Sequence, residues 1–324
     1  MYTKEPKESQ NKAKQKATIH KKRVKRRRIR TGIAIGIAFL LGFVLGQKQE
    51  SVVGAGYIEA AINEITGQQS KSVPTTEDVS IESDSIMAVA QPQKLSYDEA
   101  IANLTYLADA DSQYADVISN IGIYPEALMV QLANNPEMLE FVQDYSEQKT
   151  TDEGTLSQEE LAATCPLFLQ WDERWGYDTY GDNILAVSGC GPTALSMVIV
   201  GLTHNEKATP ANVGSYALDN DYYMYGTGTK WSLMSEGASH FGLDSQTIDI
   251  DENIMKQRLD KGDFIICSMG PGDFTANGHF IVIYGYDSTG FQVNDPFCIY
   301  RSGQTWDYEQ LSDQIKSMWA LGVK

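Results

Sequence analysis

The 324-residue chain is 42% hydrophobic and 10% aromatic, which is enough to build a folded core and excludes a wholly disordered chain. Its net charge of −17 is unevenly distributed, because residues 1–30 hold 13 of the 26 Lys and Arg residues and only two acidic ones. The remainder holds 13 basic and 41 acidic residues, so one average isoelectric point describes neither part.

A basic segment runs directly into an uncharged apolar one near the N-terminus. KKRVKRRRIR (21–30) is followed by TGIAIGIAFLLGFVLG (31–46), which as a helix would be about 24 Å long against a hydrocarbon core of roughly 30 Å. A nucleic-acid-binding patch would not need this apolar run, so we expect no nucleic-acid partner. A cleaved secretory signal fits the basic start, but the charged QKQE follows where a small-residue cleavage site belongs.

We therefore interpret residues 31–47 as a transmembrane signal anchor and residues 1–30 as a basic cytoplasmic tail. An excess of Lys and Arg before a span keeps that side in the cytoplasm. Everything after the span is then expected outside the cell, held at the cell membrane by a single pass. Glycines spaced four apart within the span would let two anchors pair as a dimer, although glycine is common in membrane helices.

The composition changes twice beyond the apolar run. Residues 48–94 are rich in Ser, Thr, Gln and acidic residues with few large apolar side chains, which predicts a disordered stalk. Residues 95–148 predict a small helical subdomain, and residues 149–324 predict a domain of mixed helices and strands.

Four short helices are predicted in the helical subdomain. Ser96 followed by Glu99 is a capping box, and apolar residues follow it at helical spacing. Pro125 and Pro136 suit the first turns of the third and fourth helices. We interpret the subdomain as a packing layer, with substrate recognition as the alternative.

The last domain contains three strand-like segments, at 264–269, 278–287 and 290–296. The short turn DSTG between the last two predicts an antiparallel hairpin. One helix is predicted after Cys190 and another around 251–261.

The stretch SGCGPTALSMVI (188–199) places Cys190 at the start of a predicted helix. Gly189 and Gly191 allow close backbone approach, and Pro192 suits the first helical turn. Unpaired amides and the positive end of the helix dipole favour a thiolate there, and the same amides can line an oxyanion hole. From this segment alone, a small buried structural thiol is an equally good interpretation.

A nucleophilic cysteine needs a histidine base and a group that orients it. His279 opens the apolar strand HFIVIYGY after a glycine, where a base could act; a core histidine bonded to a backbone carbonyl is the alternative. Asp295 ends the strand predicted to pair with it, so the hairpin can bring the two together; an Asx-type turn is the alternative. The other histidines lie before the span, in a polar turn and near a helix end: His20, His204 and His240.

The motifs CPLFLQWDERWG, SGCGPTAL and GDFTANGHFIVIYGYDSTGFQVNDPF resemble those of the bacteriocin-processing (double-glycine) cysteine peptidase-like family of the papain clan. The resemblance covers residues 165–300, approximately. It implies an α+β papain-like fold, with the cysteine at a helix N-terminus packed on an antiparallel sheet that carries His and Asp. It further implies that Cys190 is the nucleophile, His279 the base, Asp295 its orienting partner and Gln170 a donor to the oxyanion.

The activity implied by this resemblance is hydrolysis of a peptide or protein substrate through a thioester. Family members that process bacteriocins are usually fused to a transporter with an ATPase and cut after Gly-Gly inside the cell. This sequence has no GxxxxGK[ST] phosphate loop, so Gly-Gly specificity is not carried over. A cell-wall peptide or amide hydrolase of the same clan and a non-catalytic surface binding module remain as alternatives.

No cofactor is expected, and no metal site, because no Cys/His cluster has zinc spacing and no acidic cluster has calcium-loop spacing. If Cys190 is reserved for chemistry, the other three cysteines can form at most one disulfide outside the cell. We favour Cys165 with Cys298, because both flank segments that are expected to converge on the site.

Overall fold

The computed structural model describes residues 88–147 and 154–324. Residues 88–324 cluster as one compact unit. The predicted cytoplasmic tail, the predicted anchor at 31–47 and the predicted stalk up to residue 87 lie outside the described residues. Within the described ranges, no helix is long and apolar enough to cross a membrane.

The first part of this unit is a layer of short helices, residues 88–147, which we call the helical layer. The capping box at Ser96 is confirmed: the Glu99 N–H donates to the Ser96 side chain and the Glu99 carboxylate accepts from the Ser96 N–H. The predicted four helices are present; 3₁₀ turns lie between helices at Ile121–Ile123 and Pro136–Met138, and a third, Asp144–Glu147, follows the last helix. The α-helices are α1 Tyr97–Ala108, α2 Ser112–Ser119, α3 Glu126–Asn134 and α4 Leu139–Gln143.

The segment ahead of α1 lies against the helical layer. Val89 is buried, and the Gln93 N–H donates to the side-chain oxygen of Asn134 over 2.6 Å. The compact unit therefore includes residues ahead of 95, the predicted start of the helical subdomain, and Val89 packs within it.

The second part combines short helices with one large sheet and two small hairpins. Its described α-helices are α5 Gln158–Ala162, α6 Leu185–Ser188, α7 Cys190–Thr203, α8 Pro210–Asp219, α9 Ser232–Ser235, α10 Glu252–Asp260, α11 Ile299–Ser302 and α12 Tyr308–Ser312, with a 3₁₀ turn at Gly237–Phe241. Its strands are β1 Thr179–Tyr180, β2 Asn183–Ile184, β3 Tyr223–Met224, β4 Gly228–Thr229, β5 Leu243–Ile248, β6 Phe264–Met269, β7 His279–Asp287, β8 Gly290–Asn294, β9 Thr305–Trp306 and β10 Ile315–Val323.

The large sheet is antiparallel and has the strand order β5-β10-β6-β7-β8-β9. The three strands predicted from the sequence are β6, β7 and β8, and the predicted hairpin is confirmed by the pairing of Asp287 with Gly290. The helices predicted after Cys190 and around 251–261 are α7 and α10. The predicted α+β class is therefore confirmed.

Helices cover both faces of the sheet. Side chains alternate along each strand, so Ile266 and Val282 join the cluster around α7, whereas Ile265 and Ile283 join a second cluster with Met255 of α10. Every residue of α7 from the second to the eleventh is buried, as expected for a helix that is apolar all round. This packing fixes the start of α7 relative to β7.

Close backbone approach at the start of α7 is also confirmed. A Cβ added to Gly191 would lie 2.6 Å from side-chain atoms of Thr229 on β4, and one added to Gly189 would lie 2.5 Å from the Leu185 carbonyl oxygen. The Thr229 hydroxyl is held by Tyr180, with 2.8 Å between the two oxygens. Glycine is therefore required on both sides of Cys190.

We expect Gly191→Ala to lower the free energy of unfolding by about 1–3 kcal/mol, because the new methyl group overpacks against Thr229. Gly122→Ala is the control, since a Cβ there meets nothing within 4 Å. Urea unfolding of both variants measures the difference. Equal stability of the two variants would contradict the close packing.

Candidate active site

Cys190 is the first residue of α7, and Gly189 precedes it without a side-chain capping hydrogen bond. The thiol is partly exposed, whereas the helix that follows it is buried. The first N–H groups of a helix have no partner within it, so the amides of Cys190 and Gly191 are left without an intrahelical partner. This placement agrees with the helix start that the sequence predicts.

His279 and Asp295 meet where β7 begins and β8 ends. His279 Nε2 lies 2.7 Å from Asp295 Oδ1, and both side chains are buried. Because an ionised carboxylate only accepts, Nε2 is the donor and Nδ1 is left for another partner. The Cys190 side chain lies near this imidazole and contributes to raising its pKa. The fold therefore brings Cys190, His279 and Asp295 into one connected row.

Arg301, which the sequence analysis missed, is the other partner of the Asp295 carboxylate. Its Nε donates to Asp295 Oδ2 over 2.6 Å, and its side chain is almost fully buried. Asp295 Oδ1 also accepts from the Phe297 N–H over 2.8 Å, so the Asx-type turn considered for this segment is formed as well. The turn and the histidine contact coexist on the same oxygen.

The charges along this row shift the pKa values of His279 and Asp295 in opposite directions. Burial acts against the imidazolium, but the charge and hydrogen bond of Asp295, with a smaller effect from Cys190, raise the pKa of His279 to about 9. Burial likewise acts against the Asp295 carboxylate, but the charges of Arg301 and His279 lower its pKa to about 2. At neutral pH the row therefore holds a carboxylate next to an imidazolium.

Gln170 lies beside the Asp295 turn and the segment that leads into Cys190. Its backbone N–H donates to the Pro296 carbonyl over 2.7 Å, and its side-chain Nε2 donates to the Ala186 carbonyl over 2.8 Å. The side chain is buried, and its Oε1 has no hydrogen-bond partner in the described structure. One backbone contact and one side-chain contact therefore hold Gln170 between the Asp295 turn and the segment that leads into Cys190.

All four cysteines, each within the described ranges, are free thiols. The favoured Cys165–Cys298 disulfide is therefore wrong. Cys165 is instead held by the Asn294 side chain, which also donates to the Cys165 carbonyl, while Cys298 is buried at the start of α11. Burial raises the pKa of Cys165 to about 12 and raises the pKa values of Cys267 and Cys298 as well.

A mixed domain with a cysteine at a helix N-terminus and a His-Asp pair on the adjoining sheet has the arrangement of a papain-like cysteine peptidase. Residues 163–321 match the model of the Peptidase_C39-like family, and the domain that they form belongs to this family of cysteine peptidases. The resemblance noted in the sequence is thereby confirmed.

Two solved structures are similar to the chain. The peptidase domain of Streptococcus ComA, a bi-functional ABC transporter involved in a quorum sensing pathway, shows 17% identity and a TM-score of 0.33, over 42% of this chain and 93% of that chain. A putative C39-like peptidase from Bacillus anthracis shows 16% identity and a TM-score of 0.29, over 52% of this chain and 98% of that chain. No curated protein matches the sequence.

Two site residues escaped sequence reasoning, Arg301 and Asn294. One feature of the sequence could have indicated Arg301: it is the only Lys or Arg between Lys261 and Lys316. A lone basic residue in an apolar, acidic stretch is a candidate partner for a buried carboxylate. Asn294 directly precedes Asp295 and gave no signal, because its partners lie 128 and 129 residues away.

The raised pKa of His279 predicts a pH dependence of stability. A histidine with a pKa of 6.5 when unfolded and about 9 when folded stabilises the fold fully below pH 6.5. This contribution is lost as the pH rises through 9. We expect the free energy of unfolding of the wild type, minus that of His279→Asn, to fall between pH 6.5 and 9. Urea titrations at a series of pH values measure it, and a constant difference would contradict the pairing.

Proposed function

We propose that the domain is a cysteine peptidase in which Cys190 is the nucleophile, His279 the general base and acid, Asp295 its orienting partner and Gln170 an oxyanion donor. The observation that carries the proposal is the hydrogen bond from His279 Nε2 to Asp295 Oδ1 at 2.7 Å. It leaves Nδ1 of the imidazole for another partner, and we assign that nitrogen to Cys190, which lies near the imidazole at the start of α7.

In the first step the thiol proton resides on His279 Nδ1, and Cys190 Sγ attacks the carbonyl carbon of a peptide bond. A C–S bond forms, and the carbonyl oxygen becomes an oxyanion. An imidazolium next to the sulfur stabilises its thiolate form. Because Asp295 keeps the imidazole protonated at neutral pH, the same group can then act as an acid.

Backbone and side-chain N–H groups near Cys190 would hold the oxyanion. The amide of Cys190 is open at the start of α7. A primary amide has two hydrogens, and Gln170 Nε2 uses one of them on the Ala186 carbonyl. The second hydrogen is the one that we assign to the oxyanion.

The intermediate collapses when the C–N bond breaks and His279 Nδ1–H protonates the leaving amine. A water molecule then attacks the thioester carbon, and His279 accepts a proton from that water. The C–S bond breaks, which releases the carboxylic acid and returns the thiol. Asp295 stays ionised throughout, since its pKa lies near 2.

We further propose that the domain acts outside the cell on a peptide or protein substrate and is tethered through residues 31–47. The basic run before an uncharged apolar run supports this orientation. The strongly acidic remainder of the chain is compatible with it, because the basic residues concentrate on the cytoplasmic side of the anchor. Pairing of two anchors remains part of the same proposal.

Cys190→Ala is expected to abolish peptide hydrolysis while leaving the fold intact, since Cys190 lies at the edge of the core and is partly exposed. Cleavage of a diverse peptide mixture, read by mass spectrometry, measures it. Cys165→Ala is the matched control, because burial raises the pKa of that thiol to about 12 and leaves it unreactive at neutral pH. Full activity in Cys190→Ala, or equal loss in both variants, would overturn the assignment.

A membrane-impermeant maleimide added to intact cells should label the full chain at Cys190. Labelling places the domain outside the membrane, because the reagent does not enter the cytoplasm. Cys190→Ala should remain unlabelled, since the other thiols are buried or bonded within the fold. Labelling that appears only after lysis would contradict the proposed location.

A further inference from the structure

The segment Asp295–Ser302 carries two charged members of the row, and it is held from outside the sheet. Asp295 and Arg301 form its buried ion pair, and the Ser302 hydroxyl accepts from the Asp295 N–H over 2.8 Å. Backbone hydrogen bonds from Cys298 to Asp295 and from Ser302 to Cys298 close its turns, but they leave the Phe297 carbonyl and the first amides of α11 to outside partners. Its position therefore depends on contacts from neighbouring elements.

Asn135 of the helical layer holds the middle of this segment. Its Nδ2 donates to the Phe297 carbonyl over 2.6 Å, across a sequence separation of 162 residues. Trp171 Nε1 donates to the same carbonyl over 2.7 Å, which satisfies both lone pairs of the oxygen. Asn135 is fully buried, so this contact is sealed from water.

Glu137 holds the other end of the segment, at the start of α11. Glu137 Oε2 accepts from the Ile299 N–H over 2.8 Å, and Oε1 accepts from the Tyr300 N–H over 2.9 Å. One carboxylate thus pairs with two successive amides in the turn that also carries Arg301. Hydrogen bonds to an ionised acceptor are stronger than neutral ones.

The same carboxylate acts electrostatically on Arg301. Burial acts against the guanidinium, but Asp295 and, more weakly, Glu137 raise its pKa. Arg301 Nη1 and Nη2 have no hydrogen-bond partner in the described structure, so Nε is the guanidinium nitrogen that bonds to Asp295, and the Phe297 ring lies 5.9 Å from the guanidinium carbon. Loss of Glu137 would loosen the turn that carries Arg301, and Asp295 would lose its fixed position against His279.

The helical layer also contacts the other side of the site. α3 packs against α6, the helix directly before Gly189 and Cys190. Gln131 Nε2 on α3 lies 3.4 Å from the Val187 carbonyl oxygen. Phe141 stacks on Tyr177 at 4.2 Å between ring centroids, which anchors the layer to the rest of the domain.

We propose that Asn135 and Glu137 are positioning residues of the peptidase site, which hold Asp295 and Arg301 so that Asp295 orients His279. The helical layer is thus a working part of the catalytic domain, rather than only a packing layer. This inference rests on the proposed function for its catalytic meaning, but the geometry that it predicts can be measured without any turnover.

Glu137→Gln in the full-length chain tests the proposal, because it keeps the side chain's size while removing its charge and one of its two acceptors. The matched control is Glu126→Gln in α3, an exposed carboxylate of the same layer. The primary readout is the titration of His279, followed by NMR with labelled histidine. The chain has four histidines, and His279→Asn assigns the signal.

We expect Glu137→Gln to lower the pKa of His279 by about one unit. At pH 8 this lowers the imidazolium fraction from about nine-tenths to about one half, so alkylation of Cys190 should slow by about twofold. The titratable groups that face this imidazole are Asp295 and the Cys190 thiol, with Arg301 behind Asp295. Glu137→Asp keeps the charge and should recover most of both quantities. Glu126→Gln should match the wild type in each.

Unchanged His279 titration in Glu137→Gln would overturn the proposal, even if the melting temperature falls, because a merely structural contact lowers stability without moving that pKa. If Glu137→Gln fails to fold, Asn135→Ser decides, because it removes the contact with the Phe297 carbonyl: a His279 pKa below that of the wild type supports the proposal, and a wild-type titration overturns it. Failure of the proposed function is a separate result, since it appears in the wild type as a Cys190 that reacts no faster than Cys165.

Discussion

The buried carboxylate of Asp295 is the charge on which the geometry of the site depends. A fully buried carboxylate is tolerated only when its lone pairs are taken. Here Oδ1 accepts from His279 and from the Phe297 amide, and Oδ2 accepts from Arg301. Each donor is held in place by its hydrogen bond to the carboxylate, and the same bond compensates part of the cost of burying the carboxylate's charge. Removal of one donor therefore disturbs the position of the others as well as the charge.

Opposite charges alternate along the row from Arg301 through Asp295 to His279. Arg301 keeps Asp295 ionised, at the cost of weakening the negative field that Asp295 exerts on the imidazole. The pKa of His279 is nevertheless raised to about 9, so the carboxylate next to it outweighs the guanidinium behind it. The carboxylate has the larger effect on the imidazole because it is the nearer charge. His279 contacts Asp295 Oδ1 directly, whereas Arg301 is bound to the other carboxylate oxygen, Oδ2.

Local patterns in the sequence predicted the parts of the fold that show a regular spacing of apolar residues, a turn signal or a helix-capping motif. The hairpin β7–β8, the helix after Cys190 and the capping box at Ser96 are examples, and the hairpin alone brought His279 and Asp295 together. β10 was not predicted, because MWALG lies within a strand covered on both faces and shows no alternation. The contacts of Glu137 and Asn135 join residues 162 apart, and no spacing in the sequence reports such contacts.

The order of strands in the large sheet has a consequence for how the protein is made. β10 is inserted between β5 and β6, so the sheet is split until residues 315–323 have been synthesised and have paired. Before that moment β6 presents an open edge, and the strands that carry His279 and Asp295 belong to an incomplete half-sheet. Closure of the large sheet thus waits for β10, which also completes the surface against which α7, the helix that begins at Cys190, packs.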